Sequence, residues 1–538
     1  MLSRLMKSLA LPRFLLVSVV LLAMALNGPA RATAPAAAPV ATPGAPPRLI
    51  AVIVIDQFRD EFLSRFADRL GTDGFRRLER EGAHFTSCFY PYALTETAPG
   101  HATLATGTTP DRHGIVSNEW YDRATHLMIP AVEDEGAPVL NGATPREGVS
   151  PRSLKSDTFA DGVRLRTGGR GKSFGLAGKA RAAVLSTGES ASGAFWFDTT
   201  TGRMTTSRYY GEALPGWVAA YNRGRPADRY YGRTWTAAGS TLARMTSHGG
   251  SPDAAYYEAL AATPYLHEML FAFARETIEN EHLGEDGDTD FLFIGLSGHD
   301  YLGHEAGPYS EAVAAMTRET DAQLAAFLRY LDKRLGRTGY WVALSADHGV
   351  APTAAQSETR GMRPQIVEVA RLEKVMAGAL SARFGAADPI HLEGETTRVW
   401  FDLDDMARHG TTAAEAARLA GEAASKVEGV RGYLAAGSTN LDAETVETFR
   451  LSTFPGRSPD LFLALEPFAV VRDTAPANHG TAWSYDTQVP LLLYGPPFRP
   501  GVYRARCSPA DLAPTLAAAL GIPPPALATG RVLGEALR

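Results

Sequence analysis

Asp300 and His304 stand four residues apart, the spacing that sets two side chains on one face of a helical turn. Asp347 and His348 are neighbours directly after an apolar run, so a tight turn there would let both reach one ion. Asp56 ends the run Leu49–Ile55. His479 lies in Asn478-His-Gly-Thr-Ala-Trp, ahead of another apolar run. Carboxylates and imidazoles without a thiolate suit zinc, and would also take manganese or another divalent cation. Each residue alone has a plain structural use, since an Asp after a strand often caps a helix and a single His is often a satisfied polar group. Gathered at the ends of apolar runs, they form a stronger pattern.

A nucleophile is available nearby. In Thr95-Glu-Thr97-Ala-Pro99-Gly-His101, the proline suits the first turn of a helix. Thr97 then lies at a helix N-terminus, where unbonded N–H groups and the dipole favour an anion. A threonine hydroxyl is a weak nucleophile until a base or a metal activates it. On residue type alone Thr95, Thr103 and Thr106 compete with Thr97, and Thr97 has the plain alternative of a helix cap. Glu96 and His101 read as cap or supporting groups, Arg112 and His113 as holders of the following turn, and His299 as a core residue.

These residues need strands to position them. Four apolar runs, Leu49–Ile55, Phe291–Leu296, Trp341–Leu344 and Pro490–Tyr494, suit strands buried on both faces of a parallel sheet. Ser310 to Leu335 returns Val313, Met316, Leu324, Phe327, Leu328 and Leu331 at helical spacing. The alternation predicts an α/β fold, a doubly wound and mostly parallel sheet flanked by helices. In such sheets ligands bind beyond the carboxyl ends of the strands, where three of the runs deliver Asp and His. Residues from about 119 to 250 show no regular βα rhythm and read as cap insertions. Residues from about 364 to 451 hold a strand-like Thr397–Phe401 and a helix-like Thr412–Val427, a small α+β insertion. Ser508 to Gly521 reads as a closing helix ended by its glycine.

The 538 residues are 45% hydrophobic and 21% charged, with a net charge of −6. No basic stripe stands out, which argues against nucleic acid as a partner. Arg4, Lys7 and Arg13, the apolar Phe14–Leu26 and Ala30-Arg31-Ala32 have the layout of a cleaved export signal over residues 1–32. The apolar stretch is shorter than the roughly 20 residues that span a bilayer, so no stable membrane span is expected after cleavage. Residues 33–47 are rich in alanine and proline and read as a tether. The catalytic domain is expected over 48–538, in a periplasmic or secreted protein. Cys88 and Cys507 are the two cysteines, too few for a thiolate metal cluster or a disulfide framework. No oligomeric signature is legible, and a monomer is consistent with the chain.

Taken in order, Val-Ile-Asp56, Thr97-Ala-Pro-Gly-His, His113-Gly-Ile-Val-Ser-Asn118, Gly298-His-Asp300-x-x-Gly-His304, Ser-Ala-Asp347-His348-Gly and His479-Gly resemble the alkaline phosphatase superfamily. Within it the chain is similar to the threonine-nucleophile branch of nucleotide pyrophosphatase/phosphodiesterases and bacterial periplasmic alkaline phosphatases. The resemblance runs from about residue 48 to the C-terminus. It implies two Zn2+ ions per chain, one held by Asp300, His304 and His479, the other by Asp56, Asp347, His348 and Thr97. It further implies an attack by Thr97 on phosphorus, a phosphothreonine intermediate and net retention at phosphorus.

Under that resemblance Asn118 can donate its amide to a phosphoryl oxygen. Lys179 and Arg181, read as alternating residues of a strand, would reach the site together. A monoester dianion has three non-bridging oxygens and a diester two, so two further cations favour the monoester. The matching pair is a mark of the bacterial phosphatases of this branch. Catalytic and substrate-binding roles are therefore expected at Thr97, Asn118, Lys179 and Arg181, with small phosphate esters and inorganic phosphate as partners. The rival readings are a phosphodiesterase or nucleotide pyrophosphatase and, from another class, a non-catalytic metal- or phosphate-binding protein.

Overall fold

The computed structural model describes residues 45–140, 148–385, 390–393, 398–471 and 475–538. The expected leader over 1–32 and most of the tether over 33–47 lie outside the described residues. Nine strands form the central sheet: β1 (Leu49–Ile55), β2 (Ala83–Phe89), β3 (Ser173–Ala177), β4 (Gly193–Asp198), β5 (Arg203–Thr205), β6 (Asp290–Leu296), β7 (Tyr340–Ser345), β8 (Gln488–Tyr494) and β9 (Gly501–Tyr503). Their spatial order is β9-β2-β8-β7-β1-β6-β3-β4-β5. The inner neighbours β7, β1, β6, β3 and β4 run parallel. Every residue of β1, β6 and β7 is buried, which is why these runs carry no polar alternation.

Six helices matter below: α1 (Thr97–Thr106), α2 (Ala180–Thr187), α3 (Pro264–Asn280), α4 (Gly298–Ala306), α5 (Glu311–Leu335) and α6 (Leu512–Leu520). One layer contains α1, α2 and α6, the other α3, α4 and α5, with contacts inside each group. Ser310 caps α5 by accepting from the Val313 N–H, and Gly521 ends α6 at φ 71. α5 matches its expected span, whereas the closing segment expected from Ser508 begins as a 3-10 turn over Pro509–Asp511 and becomes α-helical at Leu512.

Three expectations need correction. The run Pro490–Tyr494 is a strand, but β8 pairs antiparallel with both β7 and β2. Burial on both faces imposes the same apolar composition in either direction, so the run could not reveal it. The stretch 119–250 includes β3, α2, β4 and β5, which extend the central sheet. Its βα unit carries a weak sequence signal because Ser173–Ala177 is short and glycine-containing. The small insertion reaches past residue 451. Its five-stranded sheet joins Ile390–Glu393, Arg398–Phe401, Val430–Ala435 and Ser438–Thr439 to Leu461–Leu465.

Register brings the chemistry to one edge. Ile55 is level with Leu296, and Val54 with both Gly295 and Ser345. Gly295 is level in turn with Ala177. Asp56, Asp347 and the start of α4 therefore leave the sheet at the same end, with Lys179 beside them.

Two buried imidazoles predict acid sensitivity. His267 receives the Gly298 N–H at 2.9 Å and contacts Thr320 Oγ1, holding the start of α4. His113 receives the Ile115 N–H at 3.1 Å and contacts Thr103 Oγ1, which holds its turn as expected. Burial lowers both to about 3, aided at His113 by Arg457. Neutral in the fold and protonated when unfolded below about pH 6.5, each contributes stability that is present above that pH and lost on acidification. Urea unfolding should show a loss approaching about 1.4 kcal/mol per pH unit from each imidazole between pH 6 and 4. His267→Gln should flatten that slope. An unchanged slope would remove His267 as its source.

Candidate active site

Six of the expected ligands form two adjacent triads. Ligand atoms of Asp300, His304 and His479 lie within 4.8 Å of one another, as do those of Asp56, Asp347 and His348. Asp300 and His304 share a face of α4, with Nε2 of His304 3.2 Å from Oδ1 of Asp300. His479 arrives from a loop ahead of β8, its Nε2 3.6 Å from the same oxygen. His348 Nε2 is 3.4 Å from Asp56 Oδ1. The rings of His348 and His479 stack at 3.7 Å, joining the triads.

All three imidazoles are oriented by backbone carbonyls. Nδ1 of His304 meets Ala477 O at 2.9 Å, Nδ1 of His348 meets Gly349 O at 2.9 Å, and Nδ1 of His479 meets Thr95 O at 2.7 Å. A carbonyl can only accept, so each Nδ1 carries the proton and each Nε2 faces the cluster as a donor atom. Among the described residues, Asp56 Oδ1, Asp347 Oδ2 and His348 Nε2 are buried without a hydrogen bond. This donor set, carboxylate oxygens and imidazole nitrogens aimed inward, fits divalent cations.

The charge balance points the same way. Burial together with Asp300 and Asp347 raises the pKa of Asp56. Burial alone would raise Asp300 and Asp347 too, but Lys179 and His304 hold the first well below its ordinary value, and His348 and His101 hold down the second. Burial opposes the charge on His348, yet Asp347 and Asp56 outweigh it and push its pKa up to about 9. The ionised carboxylates that keep His348 charged would stabilise a metal ion in the same place.

Thr97 is the first residue of α1 and is buried. The helix can approach because Gly100 has no side chain: a Cβ there would lie 2.2 Å from the Asp347 carbonyl oxygen. The competing hydroxyls are committed elsewhere. Thr95 Oγ1 donates to Thr481 O at 3.0 Å, Thr103 Oγ1 to Tyr92 OH at 3.1 Å, and Thr106 Oγ1 to Ala102 O at 2.7 Å. By contrast Lys179 Nζ and a terminal nitrogen of Arg181 each lie 3.4 Å from Thr97 Oγ1.

Lys179 and Arg181 converge as expected, but not along a strand. Lys179 is the extended residue preceding α2 and Arg181 lies in its first turn. The chain bends between them and brings both side chains to Thr97. Lys179 Nζ also contacts Asp300 and sits 2.6 Å from Asp56 Oδ2. Burial would discharge it, but Asp300 and Asp56 outweigh burial and raise its pKa. Asn118 accepts the Ala98 N–H on Oδ1 at 2.9 Å, which leaves its Nδ2 as the donor end.

Gln57 is a supporting group that was not legible in the sequence, while Glu96 and His101 take the supporting alternative of their expected uses. Gln57 donates Nε2–H to Asp300 Oδ1 at 2.9 Å and its backbone N–H to Asp347 Oδ1 at 3.1 Å, touching a carboxylate of each triad. It does so at φ 63, a left-handed conformation that its residue type did not announce. Glu96 precedes α1, but its side chain makes no cap bond. It accepts from Ser117 Oγ and the Asn118 N–H instead. His101 Nε2 lies 3.3 Å from Asp347 Oδ2. His299 is a core residue, as expected, against Thr317.

A family model described as type I phosphodiesterase / nucleotide pyrophosphatase matches residues 50–480. The chain belongs to that family. With it comes membership of the alkaline phosphatase superfamily, in line with the motif resemblance. Among its relatives is alkaline phosphatase PhoV of Synechococcus elongatus, 30% identical over 521 residues and covering 91% of this chain and 93% of PhoV. A Myroides odoratus protein bearing the name calcium-transporting ATPase is 29% identical, with 91% and 94% covered. Alkaline phosphatase PafA of Elizabethkingia meningoseptica is 29% identical over 538 residues. The crystal structure of wild-type PafA matches this fold with a TM-score of 0.84 at 27% identity, covering 92% of this chain and 100% of that one.

Proposed function

We propose that this chain is an exported, two-zinc phosphate monoester hydrolase that works through a phosphothreonine on Thr97. The observation that carries the reading is the meeting of Lys179 and Arg181 at the Thr97 hydroxyl, beside the two ligand triads. Asp300, His304 and His479 would hold one ion, and Asp56, Asp347, His348 and Thr97 the other. Ions held there supply Lewis-acid charge that lowers the pKa of the hydroxyl and of water and offsets charge on the leaving oxygen.

The protein's own groups do the rest. The N-terminal end of the α1 dipole favours an anion bound at Thr97, although the Ala98 and Gly100 N–H groups are bonded to Asn118 and Glu96. Attack by Thr97 Oγ1 on phosphorus releases the alcohol. Water then attacks the phosphothreonine, so two inversions give retention. Asn118 Nδ2, Lys179 and Arg181 serve as donors to the non-bridging oxygens. A monoester presents three such oxygens, as does the terminal phosphate of ATP, whereas a diester presents two. The names of the PhoV and PafA relatives agree with a monoesterase. The description of the family model keeps phosphodiesterase as the second reading. Taken with the export signal, broad-range phosphate scavenging is the role proposed.

The test is turnover of p-nitrophenyl phosphate against bis(p-nitrophenyl) phosphate, with and without a chelator and with zinc restored. The monoester should be favoured by about tenfold or more in kcat/KM, the worth of one well-made charged hydrogen bond. Chelation should abolish both activities and zinc should restore them. A faster diester would select the phosphodiesterase, and no turnover of either would leave a binding protein.

A further inference from the structure

Arg398 opens the strand Arg398–Phe401 of the insertion sheet, yet its guanidinium is buried against the nucleophile segment. One terminal nitrogen lies 3.5 Å from Glu96 Oε1, and the other donates to Glu119 O at 3.3 Å. The other carboxylate oxygen of Glu96 accepts Ser117 Oγ–H at 2.7 Å and the Asn118 N–H at 2.8 Å. Asn118 in turn grips the start of α1 through Ala98. The chain of contacts thus runs from the insertion through a buried ion pair to both flanks of Thr97. A second arginine works in the opposite direction. Arg123, just past Glu119–Asp122, makes a two-point bond to Asp460 and donates to Phe401 O at 2.9 Å. Two crossed arginines therefore dock this sheet beside the segment that carries Asn118.

We propose that Arg398 and Glu96 are positioning residues that set the Asn118 amide for the phosphoryl oxygen, so that the insertion sheet tunes phosphate recognition. This rests on the monoesterase reading and on Asn118 as an oxygen donor. The physical need is plain. A carboxylate buried one residue before Thr97 would repel an anionic substrate and demands a countercharge. Arg398 supplies it from 3.5 Å at Oε1 while its other nitrogen is anchored on the Glu119 carbonyl, and the second carboxylate oxygen of Glu96 holds the Asn118 backbone.

The test is a double-mutant cycle on p-nitrophenyl phosphate hydrolysis, with metal content and thermal midpoint measured for every variant. Arg398→Met should lower kcat/KM by about tenfold or more in the parent and by less than about threefold in an Asn118→Ala background, because it acts through Asn118. Arg398→Lys keeps the charge without the fork and should show the same dependence with a smaller loss, which provides the measurement if Arg398→Met does not fold. Adding Glu96→Gln to Arg398→Met should recover part of the loss, since no lone buried carboxylate remains. Equal losses in both backgrounds would reduce Arg398 to a structural residue and overturn the proposal. If Asn118→Ala by itself had no effect, the donor role of Asn118 and the proposal would fall together. The monoester reading would still be judged separately by the monoester-to-diester rate ratio.

Discussion

Thr97→Ala is expected to lower kcat on the order of a thousandfold or more while metal content and the melting midpoint stay close to the parent. In the proposed mechanism the hydroxyl supplies the atom that bonds to phosphorus, so any residual rate would reflect direct attack by water. The expectation is specific to this threonine, because Thr95, Thr103 and Thr106 spend their hydroxyls on Thr481, Tyr92 and Ala102. Thr97→Ser keeps the nucleophilic oxygen and should retain far more activity. Rapid-quench trapping with a radiolabelled monoester should find label on Thr97 in the parent and none in Thr97→Ala. A variant within tenfold of the parent would show that another group makes the first bond.

The second large effect is on selectivity. Lys179→Ala and Arg181→Ala should each reduce kcat/KM for the monoester by about ten- to a hundredfold, the range for a hydrogen bond between charged groups. Loss on the diester should be several-fold smaller, because one fewer charged oxygen needs a partner. The two variants are not equivalent. Lys179 also contacts Asp300 and Asp56, so its removal takes one countercharge from a carboxylate of each triad. Metal affinity should therefore change in Lys179→Ala and hold in Arg181→Ala. Metal titration followed by rate measurements at saturating zinc separates the two contributions. Equal losses on monoester and diester in both variants would end the monoester assignment.

Some of this chemistry could be read without coordinates because its information is local. The i, i+4 relation of Asp300 and His304 follows from helix geometry, and α4 has that geometry. The runs before Asp56, Asp300 and Asp347 are apolar throughout because both faces of their strands are covered, and they form β1, β6 and β7 side by side. The motif order then named the superfamily to which the family match assigns the chain.

Relations that depend on which distant pieces become neighbours were not legible. The direction of β8 is invisible in a run buried on both faces. Lys179 and Arg181 reach Thr97 through a strand-to-helix bend, where alternation along a strand had been expected. Gln57 supports two carboxylates through an unusual backbone angle, and Arg398 crosses from a separate sheet to reach Glu96. By itself, then, the amino-acid order determined the residue types, the buried runs and the turn-level spacings, since periodicity and composition act over a few residues. Only the tertiary structure decided which threonine meets Lys179 and Arg181, how the triads meet and what holds Asn118, because those contacts join segments as far apart as Thr95 and His479 through strand order and register.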